Sequence, residues 1–322
     1  AKKIIMEAKN CGASAVKLQT YTPDTLTLNS SDEDFCIKGG LWDGYTLYDL
    51  YKQAYTPYEW HKELFDFAKD KDITLFSSPF DETAVDLLQD LDAPAYKIAS
   101  FELVDLPLIK RAAECAKPLL MSTGMASLNE VREALNVALK YGCGDVLLFH
   151  CISSYPAPVT ECNLKNIEFL RSEFGIEVGL SDHTMSNLAS TISIGLGATA
   201  IEKHFKPSDD NIGPDSSFSI TPNQLSLLVN DCNDAWRAIG KAGFHRSLAE
   251  ETSRKHRRSL YFMSNLKKGD IIRSADIRAI RPGFGLPPKY VNSIIGKHVN
   301  RNVERGDQVT FDVFKEKWDE KK

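Results

Sequence analysis

Residues 177–205 read EVGLSDHTMSNLASTISIGLGATAIEKHF, and two short apolar runs in that stretch each finish on a histidine, His183 in Leu180-Ser181-Asp182-His183 and His204 in Ala200-Ile201-Glu202-Lys203-His204. Gly213-Pro214-Asp215 follows close behind. Short apolar runs separated by a helix-length stretch read as consecutive βα units. A strand that ends on His delivers an imidazole to its carboxyl end, where α/β barrels keep their chemistry, and neighbouring units bring two such ends together. The pair therefore reads as a metal site at the mouth of a barrel, imidazole being the commonest metal ligand. Two buried, satisfied histidines are the plainer alternative.

The same pattern extends in both directions. The chain opens inside a helical pattern (Ile4, Ile5, Ala8, Cys11) that stops at Gly12, and strand candidates follow at residues 15–19, 73–77, 95–99, 118–122, 146–151, 177–181 and 200–204. Strand alternating with helix over most of the chain gives either a closed (β/α)8 TIM barrel or an open doubly wound sheet. No Gly-x-Gly-x-x-Gly turn is present, which counts against a dinucleotide-binding open sheet. Seven strands preceded by a helix lead to the expectation of a barrel whose first strand is missing from this chain. Every strand end also carries a chemically capable residue: Lys17 and Gln19, Ser77 and Ser78, Lys97 with Ser100 and Glu102, Ser122, His150 with Ser153 and Tyr155, Ser181, then Glu202. One serine at such a place is a helix cap, but hydroxyls and two lysines recurring at all ends suit a shared pocket for a phosphoryl group.

Composition limits the function classes. With 43% hydrophobic and 26% charged residues in 322, the chain has enough apolar content for one large core and a small second domain. A net charge of −5, with the densest basic run confined to residues 254–258, argues against a nucleic-acid partner. Seven cysteines, an odd number without a Cys-x-x-Cys pair, point to reduced thiols and a cytoplasmic setting. No apolar run approaches the roughly 20 residues that cross a bilayer, so no membrane partner is expected.

Two segments depart from the βα rhythm. Residues 20–56 are far longer than the roughly two to six residues of an ordinary βα loop, and they bring Trp42, Tyr45, Tyr48 and Tyr51. These rings either stack on a sugar or pack the insertion onto the barrel, and packing is the favoured reading for most of them. After residues 1–243, a polar linker at 244–257 leads to a small β-rich domain at 258–322. That domain holds two similar phrases, LKKGDII at 266–272 and VERGDQV at 303–309. Between them Arg281-Pro282-Gly283-Phe284-Gly285-Leu286-Pro287-Pro288 fixes an irregular loop, either a turn with a solvated Arg281 or a holder for its guanidinium.

Lys17-Leu18-Gln19-Thr20, Ser77-Ser78-Pro79-Phe80-Asp81, Tyr96-Lys97-Ile98-Ala99-Ser100, Ser122-Thr123-Gly124-Met125, Ser181-Asp182-His183-Thr184 and Glu202-Lys203-His204-Phe205, in that order, resemble the sialic (nonulosonic) acid synthase family. The C-terminal segment resembles that family's antifreeze-like SAF domain. Residues 41–51, 213–216 and 281–288 look more like the pseudaminic acid synthase branch than the N-acetylneuraminate branch. The resemblance implies condensation of phosphoenolpyruvate with an acetamido sugar. It implies a divalent metal, Mn²⁺ or Mg²⁺, on His183 and His204, and a phosphoenolpyruvate grip formed by Lys17, Lys97, Ser78, Ser100, Ser122, Ser153 and Ser181. Gln19, Tyr155, Asp215 and Arg281 fall at sugar-contacting positions, and Glu102 at a carboxylate near the reacting carbons. The same resemblance implies a domain-swapped homodimer in which Arg281 serves the partner's barrel. The family's first strand, with a catalytic Glu, has no counterpart in the chain. A metal-dependent aldolase or phosphosugar isomerase would account for the barrel but leave the C-terminal segment without a role, and a non-catalytic carbohydrate-binding module would leave the barrel mouth idle.

Overall fold

A computed structural model describes residues 1–210, 213–244 and 246–314. His245 of the expected linker and residues 315–322 of the expected C-terminal domain lie outside the described residues. The chain divides after Gly240 into two compact units.

In the first unit seven strands form one sheet in sequential order: β1 (Ala15–Thr20), β2 (Thr74–Pro79), β3 (Tyr96–Ile98), β4 (Leu119–Ser122), β5 (Val146–Cys151), β6 (Glu177–Asp182) and β7 (Ile201–Lys203). Every neighbouring pair is parallel. These are the seven strands expected from the sequence, and the sheet has no eighth among the described residues. β1 and β7 stand at opposite ends of the pairing order, yet Lys17 Nζ on β1 lies 2.7 Å from Glu202 Oε1 on β7. Only a sheet curled toward closure brings those two edges so near, and this is the TIM-type architecture.

Strand parity sets which residues reach the interior. Side chains alternate, so Val16 and Leu18 pack outward with Ile5, Leu64 and Leu75, while Lys17 and Gln19 share the opposite face. The main core lies between β3 to β6 and their helices, where Ile98, Leu119, Met121, Leu148 and Val178 meet Ile109, Ala134 and Ile167. Asp81, closing one strand-end motif, caps a helix, its Oδ1 accepting from the Ala84 N–H at 3.0 Å, and Ser127, two residues beyond another, forms a capping box with Glu130. The long connection after β1 contains helices Pro23–Leu26 and Leu47–Ala54, then Tyr58–Asp70. Its Tyr51 ring meets the buried Tyr21 ring edge-on at 5.8 Å, which fixes the insertion to the barrel.

In the second unit β8 (Ser259–Phe262) pairs antiparallel with β9 (Ile277–Ile280) over a core of Leu260, Phe262, Ile272, Val299, Val303 and Val309. The two similar phrases adopt the same turn. Gly269 and Gly306 have φ of +96° and +101°, and Asp270 and Asp307 accept from the N–H three residues before each, at 2.7 and 2.8 Å. Leu266 and Val303 then exchange backbone hydrogen bonds, so the repeat read in the sequence pairs with itself.

Candidate active site

Lys17 of β1, Lys97 of β3 and Ser181 of β6 converge on one carboxylate, Glu202 of β7. Lys17 Nζ is 2.7 Å and Lys97 Nζ 3.2 Å from it, and Ser181 Oγ donates to it at 3.4 Å. Lys97 is 1% exposed, and its ammonium also lies 5.1 Å from the Phe149 ring centroid. Burial pushes the Lys97 pKa down to about 8 against the pull of Glu202, while Lys17 and Lys97 hold Glu202 well below the usual carboxylate range despite its own burial. Glu202 stood in the strand-end motif, but no role had been read for it. Its spacing of two from His204 places both on one face of β7, the signal that finds it.

Beside this cluster Ser78 and Ser122 are 1% and 2% exposed, and their hydroxyls have no hydrogen-bond partner. A buried hydroxyl without a partner costs about 1–3 kcal/mol, so two of them next to paired lysines suit an anion that would satisfy them. Ser100 and Ser153 flank Gly124, whose N–H donates to Ser100 Oγ at 3.2 Å. A Cβ on Gly124 would stand 2.2 Å from Ser153 Oγ and 2.7 Å from Ser100 Oγ, so only glycine fits there. Glu102, in the turn Ser100–Val104 after β3, has an unpartnered buried Oε2, and burial raises its pKa to about 7.

The histidine pair stands one residue beyond β6 and β7. Their rings are 5.4 Å apart between centroids. His183 Nδ1 lies 2.9 Å from the Ile152 carbonyl and therefore donates to it, while His204 Nδ1 lies 3.4 Å from Asp215 Oδ2. Fixing both Nδ1 atoms leaves both Nε2 atoms for a ligand, the arrangement by which an outer hydrogen bond orients a metal-binding imidazole. Burial lowers the His204 pKa, with Asp215 opposing and His183 and Lys17 adding to it; burial also opposes protonation of His183, but Cys151 and the Ile152 carbonyl raise it overall. The residue before each histidine joins a separate buried network. Asp182 and Lys203 are register partners, their side chains 1% and 3% exposed, and Lys203 Nζ bonds Asp182 Oδ2 at 2.7 Å and the Thr184 and Ser186 carbonyls. Asp182 also accepts from Ser190 and from the Thr184 N–H.

Other expected residues divide. The Tyr155 ring lies 4.4 Å from His183, joining the site, and Asp215 joins it through His204. Gln19 shares the β1 face of Lys17 and is paired in register with Ser78. His150 turns to the other face of β5, where its Nε2 meets the Cys162 carbonyl at 2.7 Å, and so pins a loop. Arg281 is exposed, directly after β9 in the second unit. Among the insertion's aromatic residues Tyr45 is exposed, Tyr48 bonds Asp24 and Tyr51 packs inward, whereas Trp42 reaches the loop that carries Asp215.

Residues 4–243 match the NeuB family and residues 257–315 the SAF domain. A pseudaminic acid synthase of Campylobacter jejuni is 40% identical, covering 98% of this chain and 92% of its own length. An N,N'-diacetyllegionaminic acid synthase of Legionella pneumophila is 34% identical, covering 97% and 89%. Among solved structures, the N-acetylneuraminic acid synthetase of Leptospira borgpetersenii in complex with citrate has a TM-score of 0.69 at 25% identity, over 78% of this chain and 83% of that one. The chain belongs to the NeuB family, and its C-terminal unit carries a SAF domain.

Proposed function

We propose that the chain is a pseudaminic acid synthase, condensing phosphoenolpyruvate with 2,4-diacetamido-2,4,6-trideoxy-L-altrose and water to give pseudaminic acid and phosphate. The observation that carries this reading is the pairing of a lysine and serine cradle, holding two unpartnered buried hydroxyls, with two oriented histidines on adjacent strand ends. The relatives at 40% identity support it, and the legionaminic acid synthase at 34% defines the nearest alternative.

In this reading Lys17, Lys97, Ser78, Ser100, Ser122, Ser153 and Ser181 bind the carboxylate and phosphate of phosphoenolpyruvate by charge-assisted hydrogen bonds. Glu202 lies between the two ammonium groups and favours the charged form of Lys97. Gln19, Tyr155 and Asp215 orient the sugar, with Arg281 as a further sugar contact. Glu102, with its carboxyl near neutrality, holds a proton on the buried Oε2 and transfers it near the reacting carbons. His183 and His204 would hold a divalent ion, Mn²⁺ or Mg²⁺. Their free Nε2 atoms fit such an ion, and because no group of three or more His, Cys, Asp or Glu surrounds a cation position among the described residues, water and substrate would complete its shell. When bound, the ion supplies Lewis-acid polarisation of the sugar aldehyde. The proposed setting is the cytoplasm, consistent with seven unpaired cysteines, and the proposed assembly is a domain-swapped homodimer.

The test is phosphate release with Mn²⁺ or EDTA, offering the altrose sugar, its D-manno counterpart and N-acetylmannosamine in turn. Metal-dependent release with the altrose sugar alone is expected. Release with another sugar only would reassign the substrate, and release with none would overturn the synthase reading.

A further inference from the structure

The side chains around the site fall into two unlike groups. One is the lysine and serine cradle; the other is aromatic. Phe218, 2% exposed, lies 4.9 Å from the His204 ring and 5.1 Å from Tyr155, and Trp42 closes the group at 6.2 Å from Tyr155 and 6.3 Å from Phe218. Trp42 arrives from the long connection after β1, and its indole Nε1 donates to the Pro214 carbonyl at 3.1 Å, next to Asp215. That bond engages the single polar group of the indole, so the half-buried Trp42, backed by the buried Phe218, offers only carbon.

From this wall we propose, on the basis of the synthase reading above, that Trp42 is a specificity-determining residue. It selects an acceptor sugar that carries a methyl group where common hexoses carry a hydroxymethyl. A methyl placed against the half-buried indole is removed from water at no polar cost. A hydroxymethyl placed there loses its water and gains no hydrogen bond from the indole. An apolar pocket discriminates on this scale by about ten- to a hundred-fold, and the partner-engaged indole leaves no donor to soften the penalty.

The experiment compares kcat/KM for the 2,4-diacetamido-2,4,6-trideoxy-L-altrose acceptor and its 6-hydroxy counterpart, read as phosphate release by the full enzyme. The wild type should favour the 6-deoxy sugar by about ten-fold or more. Trp42→Ala should bring the ratio close to one, chiefly through the KM for the sugar, with the KM for phosphoenolpyruvate unchanged. Trp42→Gln, which keeps bulk and offers a hydrogen-bond partner, should move the preference toward the 6-hydroxy sugar and serves if the alanine variant does not fold. Trp42→Phe should retain most of the preference. Equal use of both sugars by the wild type overturns this inference alone, as does an unchanged ratio in the alanine or glutamine variant. Loss of preference in Trp42→Phe would overturn it too, assigning the effect to the Pro214 bond. Absence of phosphate release with either sugar would sink the synthase reading and this inference together.

Discussion

Lys97 illustrates how one residue's charge depends on a neighbour from the far end of the sheet. Buried almost completely, it loses its proton above about pH 8, and with it the grip on an anion; Glu202 is what keeps that pKa from falling further. Lys17 and Cys151 also face it, and Glu102 feels its charge. The wild-type kcat/KM for phosphoenolpyruvate should therefore fall as pH rises through about 8. In Glu202→Gln the fall should begin at lower pH, with activity at about pH 8 reduced on the order of ten-fold, which a pH profile of phosphate release reads directly. Glu102 gives the opposite sign. Its folded pKa of about 7 lies above the ordinary carboxylate value, so the folded state holds the extra proton between those values and loses stability as pH rises through 7. Glu102→Gln should be less active, yet its melting temperature relative to the wild type should rise between about pH 5 and pH 8. Equal differences at both pH values would contradict a buried, neutral carboxyl. Lys17, Lys97 and the serines were legible in the sequence because chemistry recurs at strand ends. Glu202 and Gly124 were not assigned, since their importance lies in contacts with residues far away in the chain.

Between the strands, β6 and β7 carry the histidines one step beyond a register pair, Asp182 and Lys203. A fully bonded buried ion pair at that step fixes the spacing of the two strand ends, and Lys203 also holds the two carbonyls that shape the turn after His183. Lys203→Met should leave a folded protein in which the unpaired Asp182 loosens the two strand ends, so that Mn²⁺ binds about ten-fold more weakly, the lower end of what lost support around a metal ligand costs. An unchanged affinity in titration calorimetry, with the circular dichroism preserved, would contradict the brace. At this scale the seven strands were readable from apolar runs bounded by Gly, Pro and polar clusters. The side each residue faces was less so. His150 and Cys151 are adjacent, and only the parity set by Phe149 against Lys97 and Cys151 against His183 turns His150 outward. For Trp42 the sequence leaves sugar stacking and packing of the insertion both open, because its partner at Pro214 is 172 residues away.

At the level of the whole molecule, the change of composition after residue 243 and the repeated phrase announced a second unit. The sequence could not say that the two phrases pair through Leu266 and Val303, because antiparallel pairing is set by folding and not by likeness. The proposed swapped dimer predicts that an Arg281→Ala chain mixed and refolded with a His204→Ala chain recovers up to about a quarter of wild-type activity through one intact mixed site; no recovery would contradict it. The central claim is that the barrel joins phosphoenolpyruvate to a sugar by breaking the carbon–oxygen bond of the enol phosphate. Turnover of phosphoenolpyruvate labelled with oxygen-18 at the bridging position, with Mn²⁺ and the altrose sugar, tests this most directly by mass spectrometry of both products. The label should leave in the phosphate, with an unlabelled nine-carbon keto acid formed alongside it; label retained in the acid, or no such acid, would contradict the account.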